Sequence, residues 1–292
     1  MKTFTCFGEV LWDVFPDHQI IGGAPLNVAL RLKSFTKNVS IISAIGNDNL
    51  GEQLLTYLDS NNLTSKYIQT NNNYPTGQVL VTLDQNGSAS YDIKNPSVWD
   101  FISTNQSNID LVKTSDVFIY GSLVCRNSTS KNTLFTLLEH AKFKVFDVNL
   151  RAPYYEFETL FKLMDFADFI KFNDEELELI SKEINTGFST IEDNMKAISN
   201  TFNASHVCVT KGDKGAILLV NGKFYESKGY KVKVKDTVGA GDSFLATLIY
   251  QIQSFGNYEK AIDYACAIGA LVAGSNGANP KLNQEEIDNL ML

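Results

Sequence analysis

The feature that most constrains this fold is a rhythm. Short, nearly continuous apolar runs alternate with stretches whose apolar residues recur at helical spacing. Residues 40–46 form one such run, with Ile41-Ile42 and Ala44-Ile45, and Asn47-Asp48-Asn49 leads from it into a helix ending near Asp59. Strands this apolar are buried on both faces, and the helices between them supply the crossovers that parallel pairing needs. A first strand covers 4–8. From Asp116 the rhythm resumes, with strands over 116–121, 143–148, 167–172 and 205–210 and helices over 131–140, 157–164 and from Asp174 onward. The chain closes with helices over 258–274 and 283–290. This predicts an α/β fold around a mostly parallel sheet.

Two hairpins interrupt the pattern. Residues 76–83 and 88–93 alternate around Asp84-Gln85-Asn86-Gly87, and 216–220 and 223–225 flank Asn221-Gly222. Asn-Gly between alternating runs signals a tight hairpin, too short for a crossover. The first hairpin is expected to form a small accessory sheet serving as a lid or a dimer surface. Its strands set Val79, Val81 and Leu83 against Gln78, Leu80 and Thr82, and an apolar hairpin of this kind favours burial on a second copy. A homodimer clasped through the lids is expected. Residues 9–17, ending in Phe15-Pro16-Asp17, read as a loop. With no linker, repeat or low-complexity run, residues 1–292 are expected to form one domain.

The net charge of −8 argues against nucleic acid as a partner. The four cysteines, Cys6, Cys125, Cys208 and Cys266, are widely spaced and read as buried thiols of a reducing compartment. No export signal heads the chain and no window approaches a membrane span, so no membrane association and a cytoplasmic location are expected.

The chemistry centres on Asp236-Thr237-Val238-Gly239-Ala240-Gly241-Asp242-Ser243-Phe244. Phe244, Leu245, Leu248, Ile249 and Ile252 keep helical spacing, so a helix begins near Gly241. Its free N–H groups and positive dipole end suit a phosphate or a developing negative charge. That position is expected to hold Asp242 ionised, ready to act as a base. An anion cradle beside a base suits phosphoryl transfer to a hydroxyl, although a glycine turn capped by an aspartate is also a common structural device. Asp13 follows a strand's carboxyl end, where open α/β sheets place ligand contacts. Gly22-Gly23-Ala24-Pro25 opens another helix, with its glycines allowing close approach to the backbone and Asn27 offering a donor and an acceptor in the first turn. Asn173 with Glu176 is either a capping box or a pair holding a hydrated Mg²⁺. There is no G-x-x-x-x-G-K-[ST], no H-E-x-x-H and no G-x-S-x-G, and His18, His140 and His206 are scattered.

Gly22-Gly23-Ala24-Pro25-Leu26-Asn27-Val28-Ala29 and Asp236–Asp242 resemble the two signatures of the PfkB, or ribokinase-like, sugar kinases. Asn173-x-x-Glu176 is similar to that family's magnesium motif and Thr210-Lys211-Gly212-x-x-Gly215 to its nucleotide loop, in the same order along the chain. In detail, Gly8-Glu9-Val10-Leu11-Trp12-Asp13, Thr76-Gly77-Gln78-Val79 and Asp147-Val148-Asn149-Leu150-Arg151 resemble bacterial fructokinases. The resemblance implies a three-layer α/β/α sandwich with lid strands within about 10–22 and 74–96. It implies transfer of the γ-phosphoryl group of ATP to a monosaccharide hydroxyl, with fructose the expected acceptor. Ribose, a keto-deoxy acid or a nucleoside such as adenosine are other acceptors, and a silent sugar-sensing paralogue is a further reading. Carried over by residue, Asp242 is the base, and Gly239, Ala240 and Gly241 cradle the transferring group. Asp13, Gly23 and Asn27 bind sugar, and Arg151 contacts sugar or phosphate. Asn173 and Glu176 help to hold Mg²⁺ through water. Thr210, Lys211, Gly212 and Gly215 lie along the nucleotide, and Asn276 lies at the adenine side. Relatives bind a monovalent cation near the Asp236 loop and Gly277-Ala278, but Lys281 stands where a small hydroxyl residue often lies. Its ammonium is placed to replace the ion, which leaves a K⁺ requirement open.

Overall fold

The computed structural model describes residues 1–83 and 89–292; the Asn86-Gly87 turn lies outside the described residues. The main sheet contains β1 (Phe4–Phe7), β4 (Val39–Gly46), β5 (Ile68–Asn71), β8 (Val117–Gly121), β9 (Lys144–Asp147), β10 (Phe169–Asn173), β11 (His206–Thr210), β12 (Ala216–Val220) and β13 (Lys223–Ser227). Their order is β13-β12-β11-β10-β9-β8-β1-β4-β5. Every pairing from β5 to β11 is parallel, and β12 and β13 add an antiparallel edge. Asn221 and Gly222, both with positive φ, close that edge hairpin as the Asn-Gly pattern requires.

The strand order reverses at β1. The chain runs from β1 outward through β4 and β5, returns to β8 on the other side, and continues outward through β9 to β11. Open sheets of this kind bind ligands beyond the carboxyl ends of the strands at the reversal. Helices cover both faces. Leu26, Ala29 and Leu32 of α1 (Ala24–Phe35), Leu245, Leu248 and Ile249 of α8 (Ala240–Phe255), and Ala261, Ile262 and Ala265 of α9 (Tyr258–Ala273) pack with Phe4 and Cys6 on one face. On the other, residues of α4 (Ser128–Leu138), α5 (Phe157–Phe166), α6 (Asp174–Glu183) and α7 (Ile191–Thr201) pack with Phe7, Phe118 and Phe146. The remaining helices are α2 (Asn49–Ser60), α3 (Gln106–Thr114) and α10 (Gln284–Met291). The four cysteines are buried free thiols. No helix of the described residues is long and apolar enough to cross a membrane.

A second sheet has the order β3-β2-β6-β7, from β2 (Leu11–Val14), β3 (Gln19–Gly22), β6 (Gly77–Leu83) and β7 (Ala89–Ile93). The loop expected over 9–17 is thus largely a strand, because Leu11-Trp12-Asp13-Val14 gains partners on both sides from β3 and β6. Asp48 ties this sheet to the main one. It caps α2 by accepting from the Gly51 N–H (2.8 Å) and also accepts from the Thr76 N–H (2.8 Å) and hydroxyl (2.6 Å) at the foot of β6. His206 begins an interior strand and is buried among Phe143, Phe169 and Tyr258, which pushes its pKa down by desolvation.

Candidate active site

The helix after the central glycine stretch starts at Ala240, one residue before the sequence places it. Gly239 is its N-cap with φ 74°, a left-handed conformation, and a Cβ there would lie 2.5 Å from the Ala278 Cβ. Only glycine fits both demands. The Ala240 N–H turns back to the Thr237 carbonyl (3.2 Å), whereas Gly241 and Asp242 occupy first-turn positions whose N–H groups have no intrahelical acceptor. Asp236 shapes the loop, accepting from the N–H groups of Val238 (2.9 Å) and Gly277 (3.2 Å).

Asp242 is half-buried, and it accepts from Asn27 Nδ2 on α1 at 2.8 Å. Its pKa departs from the expectation drawn from its helix position. Desolvation, with Asp147 adding repulsion, raises it to about 6, against the opposing effects of Asn27, Lys171 and Arg151. Burial and a neighbouring carboxylate outweigh the helix start, because a dipole end acts on a group by less than full removal from water does. A carboxyl with a pKa of about 6 is ionised at neutral pH, as a base must be, and becomes protonated below it. The expected kcat/KM falls with an acidic limb centred near pH 6, and activity that stays flat to pH 5 would contradict this.

Around Asp242 the strand ends converge. Asp147 at the end of β9 pairs with Lys171 of β10 at 2.9 Å, and both are buried. Burial opposes the Lys171 charge, but Asp147, Glu176 and Asp242 together hold its pKa above the ordinary value. A Cβ on Gly241 would sit 3.6 Å from the Lys171 Nζ, which fixes the ammonium beneath the start of α8. Glu9, just past β1, is buried, and desolvation raises its pKa to about 7. Asp13 on β2 is raised to about 6 by burial, against the pull of Arg151. Arg151 itself is exposed and turns an N–H to the Leu150 carbonyl (2.9 Å). Its field reaches Glu9, Asp13 and Asp242.

Gly23 has φ 111°, and a Cβ on it would lie 2.6 Å from the Glu9 carbonyl oxygen. Its missing side chain makes room for the chain's own backbone. Asn173 and Glu176 form the reciprocal capping box of α6: Asn173 Oδ1 accepts from the Glu176 N–H (2.7 Å) and Glu176 Oε2 from the Asn173 N–H (2.8 Å). Glu176 Oε1 also accepts from the Leu150 N–H (2.9 Å). Farther along the sheet edge, Thr210 ends β11, Lys211 pairs with Glu226 (2.8 Å), and Gly212 and Gly215 bound a short 3₁₀ turn. Asn276 is exposed in the loop before Gly277, and Lys281 is exposed beyond it.

Asp13, Asn27, Arg151 and Asp242 thus gather near the reversal point, while Asn173 and Glu176 lie at the end of β10 and the Thr210–Gly215 group at the end of β11. Sequence reasoning did not single out Lys171 or Asn279. Lys171 had a signal, a lysine inside the apolar run Phe169-Ile170-Lys171-Phe172, since a charge buried in a strand requires a partner. Asn279 had none, because its partner Asn27 is 252 residues away.

The description "pfkB family carbohydrate kinase" matches residues 4–285, and the chain belongs to that family. Fructokinase-2 of Solanum lycopersicum is 28% identical over 94% of this chain and 92% of its own length. The fructokinase of Solanum tuberosum is 28% identical over 96% of this chain and 92% of its own. Among solved structures, a fructokinase from Vibrio cholerae O395 with fructose, ADP and calcium bound superposes with a TM-score of 0.85 at 25% identity, over 100% of this chain and 99% of that one. A ribokinase from Thermotoga maritima has a TM-score of 0.83 at 20% identity, over 100% and 99%, which shows that the two share the fold.

Proposed function

We propose that this chain transfers the γ-phosphoryl group of ATP to free fructose, giving fructose 6-phosphate. The observation that carries the chemistry is the half-buried Asp242 carboxylate, held by Asn27 at 2.8 Å in the first turn of α8, beside N–H groups lacking intrahelical acceptors. Phosphoryl transfer relies on positioning and charge stabilisation more than on covalent chemistry. Asp242 takes the hydroxyl proton, the start of α8 stabilises the moving negative charge, and Asp13 and Asn27 orient the sugar hydroxyls. Gly23 shapes the sugar loop and Arg151 faces the anionic side. Thr210, Lys211, Gly212 and Gly215 line the nucleotide, with Asn276 at its adenine end. The choice of fructose rests on the relatives that carry that name.

The described residues contain no cluster of three or more acidic, histidine or cysteine side chains that would grip a metal directly. Glu176 and Asn173 already engage backbone N–H groups, so their remaining acceptor capacity fits a Mg²⁺ ion held through water, as Mg²⁺ prefers. Such an ion would neutralise charge on the β- and γ-phosphates.

A coupled ADP-release assay across fructose, ribose, a keto-deoxy acid and adenosine tests the function. Fructose is expected to give the highest kcat/KM; preference for ribose would overturn the choice of sugar, and no turnover with any acceptor would overturn the activity.

The protein works in the cytoplasm as a homodimer joined through its lids. The lid register sets Ile20 and Tyr91 on the face that also carries Asp13, Val79 and Val81, and both are exposed large apolar groups, at 38% and 57%. Light scattering is expected to give a mass near twice 32.4 kDa, with Ile20→Glu shifting it toward one copy; a monomeric parent protein would refute the arrangement.

A further inference from the structure

Two side chains one turn apart on α1 each bridge the same two segments. Asn27 Nδ2 donates to Asp242 Oδ2 at 2.8 Å, and Asn27 Oδ1 accepts from Asn279 Nδ2 at 2.8 Å. Arg31, four residues on, donates from Nε to the Ser243 hydroxyl oxygen at 3.1 Å and from Nη2 to the Pro280 carbonyl at 3.0 Å. The loop Gly277–Pro280 is thus tied through α1 to the start of the helix that carries Asp242. Asn27 and Arg31 are both buried. We propose that Asn279 is a positioning residue for Asp242, acting by fixing which way round the Asn27 amide sits.

The argument is one of hydrogen-bond polarity. An amide has an oxygen that accepts and a nitrogen that donates, and the two ends look alike in shape. Asp242 as a carboxylate accepts only, so it needs the Asn27 nitrogen. The flipped amide would turn its oxygen on the carboxylate, replacing an attraction with a repulsion. Asp242 alone supplies that preference only while it is ionised. Asn279 supplies it at all times, because its own Nδ2 donates to the Asn27 oxygen. Asn279 Oδ1 is buried without a hydrogen-bond partner. Turning the Asn279 amide over would not repair this, because its oxygen would then face the Asn27 oxygen and its nitrogen would occupy the unpartnered place. With its nitrogen on Asp242, Asn27 presents its oxygen to Asn279, so a donor is needed there and the Asn279 nitrogen supplies it. The groups whose fields act on Asp242 are Asp147 and Lys171 from the strand ends, Arg151 from the loop after β9, and Glu9 after β1. None of them comes from α1, where the contact with Asp242 is the neutral, orientable Asn27.

This inference rests on the base role of Asp242, so its test includes Asp242→Asn in parallel. Asn279→Ala removes the donor, and Asn279→Asp replaces it with an acceptor that pulls the Asn27 nitrogen away from Asp242. Misdirected catalytic groups lose on the order of 10- to 100-fold, so Asn279→Ala should lower kcat by about tenfold and Asn279→Asp by about 100-fold. In both, the acidic limb of the kcat/KM profile should move to higher pH, since the bond that favours the ionised carboxylate is weakened. Asn279→Gln, which keeps a primary amide, should recover most of the activity and return the limb toward its original position. Thermal melting of each variant separates this from simple loss of fold. If all three variants lose activity in step with their melting temperatures and the limb stays fixed, the positioning role is overturned while the base role stands. If Asp242→Asn retains full turnover, the base role fails and the inference fails with it.

Discussion

Asp242→Asn should lose roughly 10²–10⁴ in kcat, the usual contribution of a general base, while its affinity for the sugar stays within a few-fold. The replacement is nearly isosteric, and the geometry says how it fails. Asn27 offers its nitrogen to position 242 at 2.8 Å, so an asparagine there must turn its oxygen toward Asn27. Its own nitrogen is then left facing the substrate hydroxyl, where a donor cannot take a proton. The same change should leave stability equal or higher. The raised pKa of about 6 means that burial and Asp147 penalise the ionised form in the folded protein. A neutral amide escapes that penalty, up to about 3 kcal/mol for a shift of this size. A variant nearly inactive yet melting at or above the parent temperature is the signature of a group kept for function against stability. Steady-state turnover, sugar binding by calorimetry and thermal melting test it together. Turnover within tenfold of the parent would remove Asp242 from the base role.

The layered architecture was legible in the sequence because period and polarity carry it. The interior strands announce themselves as apolar runs, and the Asn221-Gly222 turn dictates its hairpin. Asn173 and Glu176 predicted their reciprocal cap from a spacing of three. What escaped were elements whose identity comes from partners. Leu11–Val14 becomes a strand because β3 and β6 flank it; its own pattern, ending in Phe15-Pro16-Asp17, reads as a loop, and only the family resemblance pointed to a lid strand within 10–22. Ile68–Asn71 is an edge strand of four residues, three of them polar, too short and mixed to declare a period. Helices Gln106–Thr114 and Ile191–Thr201 also went uncalled, although Asn105 and Thr190 cap them by accepting from Asn108 and Asp193 N–H groups.

At the site, residue types were legible and their electrostatics were not. The helix start gave the location of Asp242 and the wrong sign for its pKa shift. The groups that decide the sign, Asp147 and Lys171, lie 95 and 71 residues upstream and meet it only once the sheet has formed. Local sequence reports what a backbone position favours. It does not report how much water the finished fold takes away.

Lys171 is where that burial has its largest consequence. It is the cation beneath a set of carboxylates, bonded to Asp147 at 2.9 Å and drawing field from Glu176 and Asp242. Removing one partner of a buried ion pair leaves the other charge uncompensated, at about 3–5 kcal/mol. Lys171→Met should therefore destabilise the protein by that amount, a fall in Tm on the order of 10 °C. It should also disturb the chemistry, because Lys171 lowers the Asp242 pKa and Asp147 raises it. With the cation gone, only Asn27 and Arg151 oppose the repulsion from Asp147, and the acidic limb should climb from near 6 toward neutrality, cutting turnover at pH 7. Adding Asp147→Asn separates the two effects. The double variant has no orphaned charge, so most of the lost stability should return, as replacing both partners of a buried pair costs far less than breaking it. The limb should return toward its original position as well, since the source of repulsion has left with the cation. Denaturant titration and the pH dependence of kcat/KM measure both. A double variant as unstable as Lys171→Met would mean that the lysine acts through its packing, with its ion pair to Asp147 incidental to the fold.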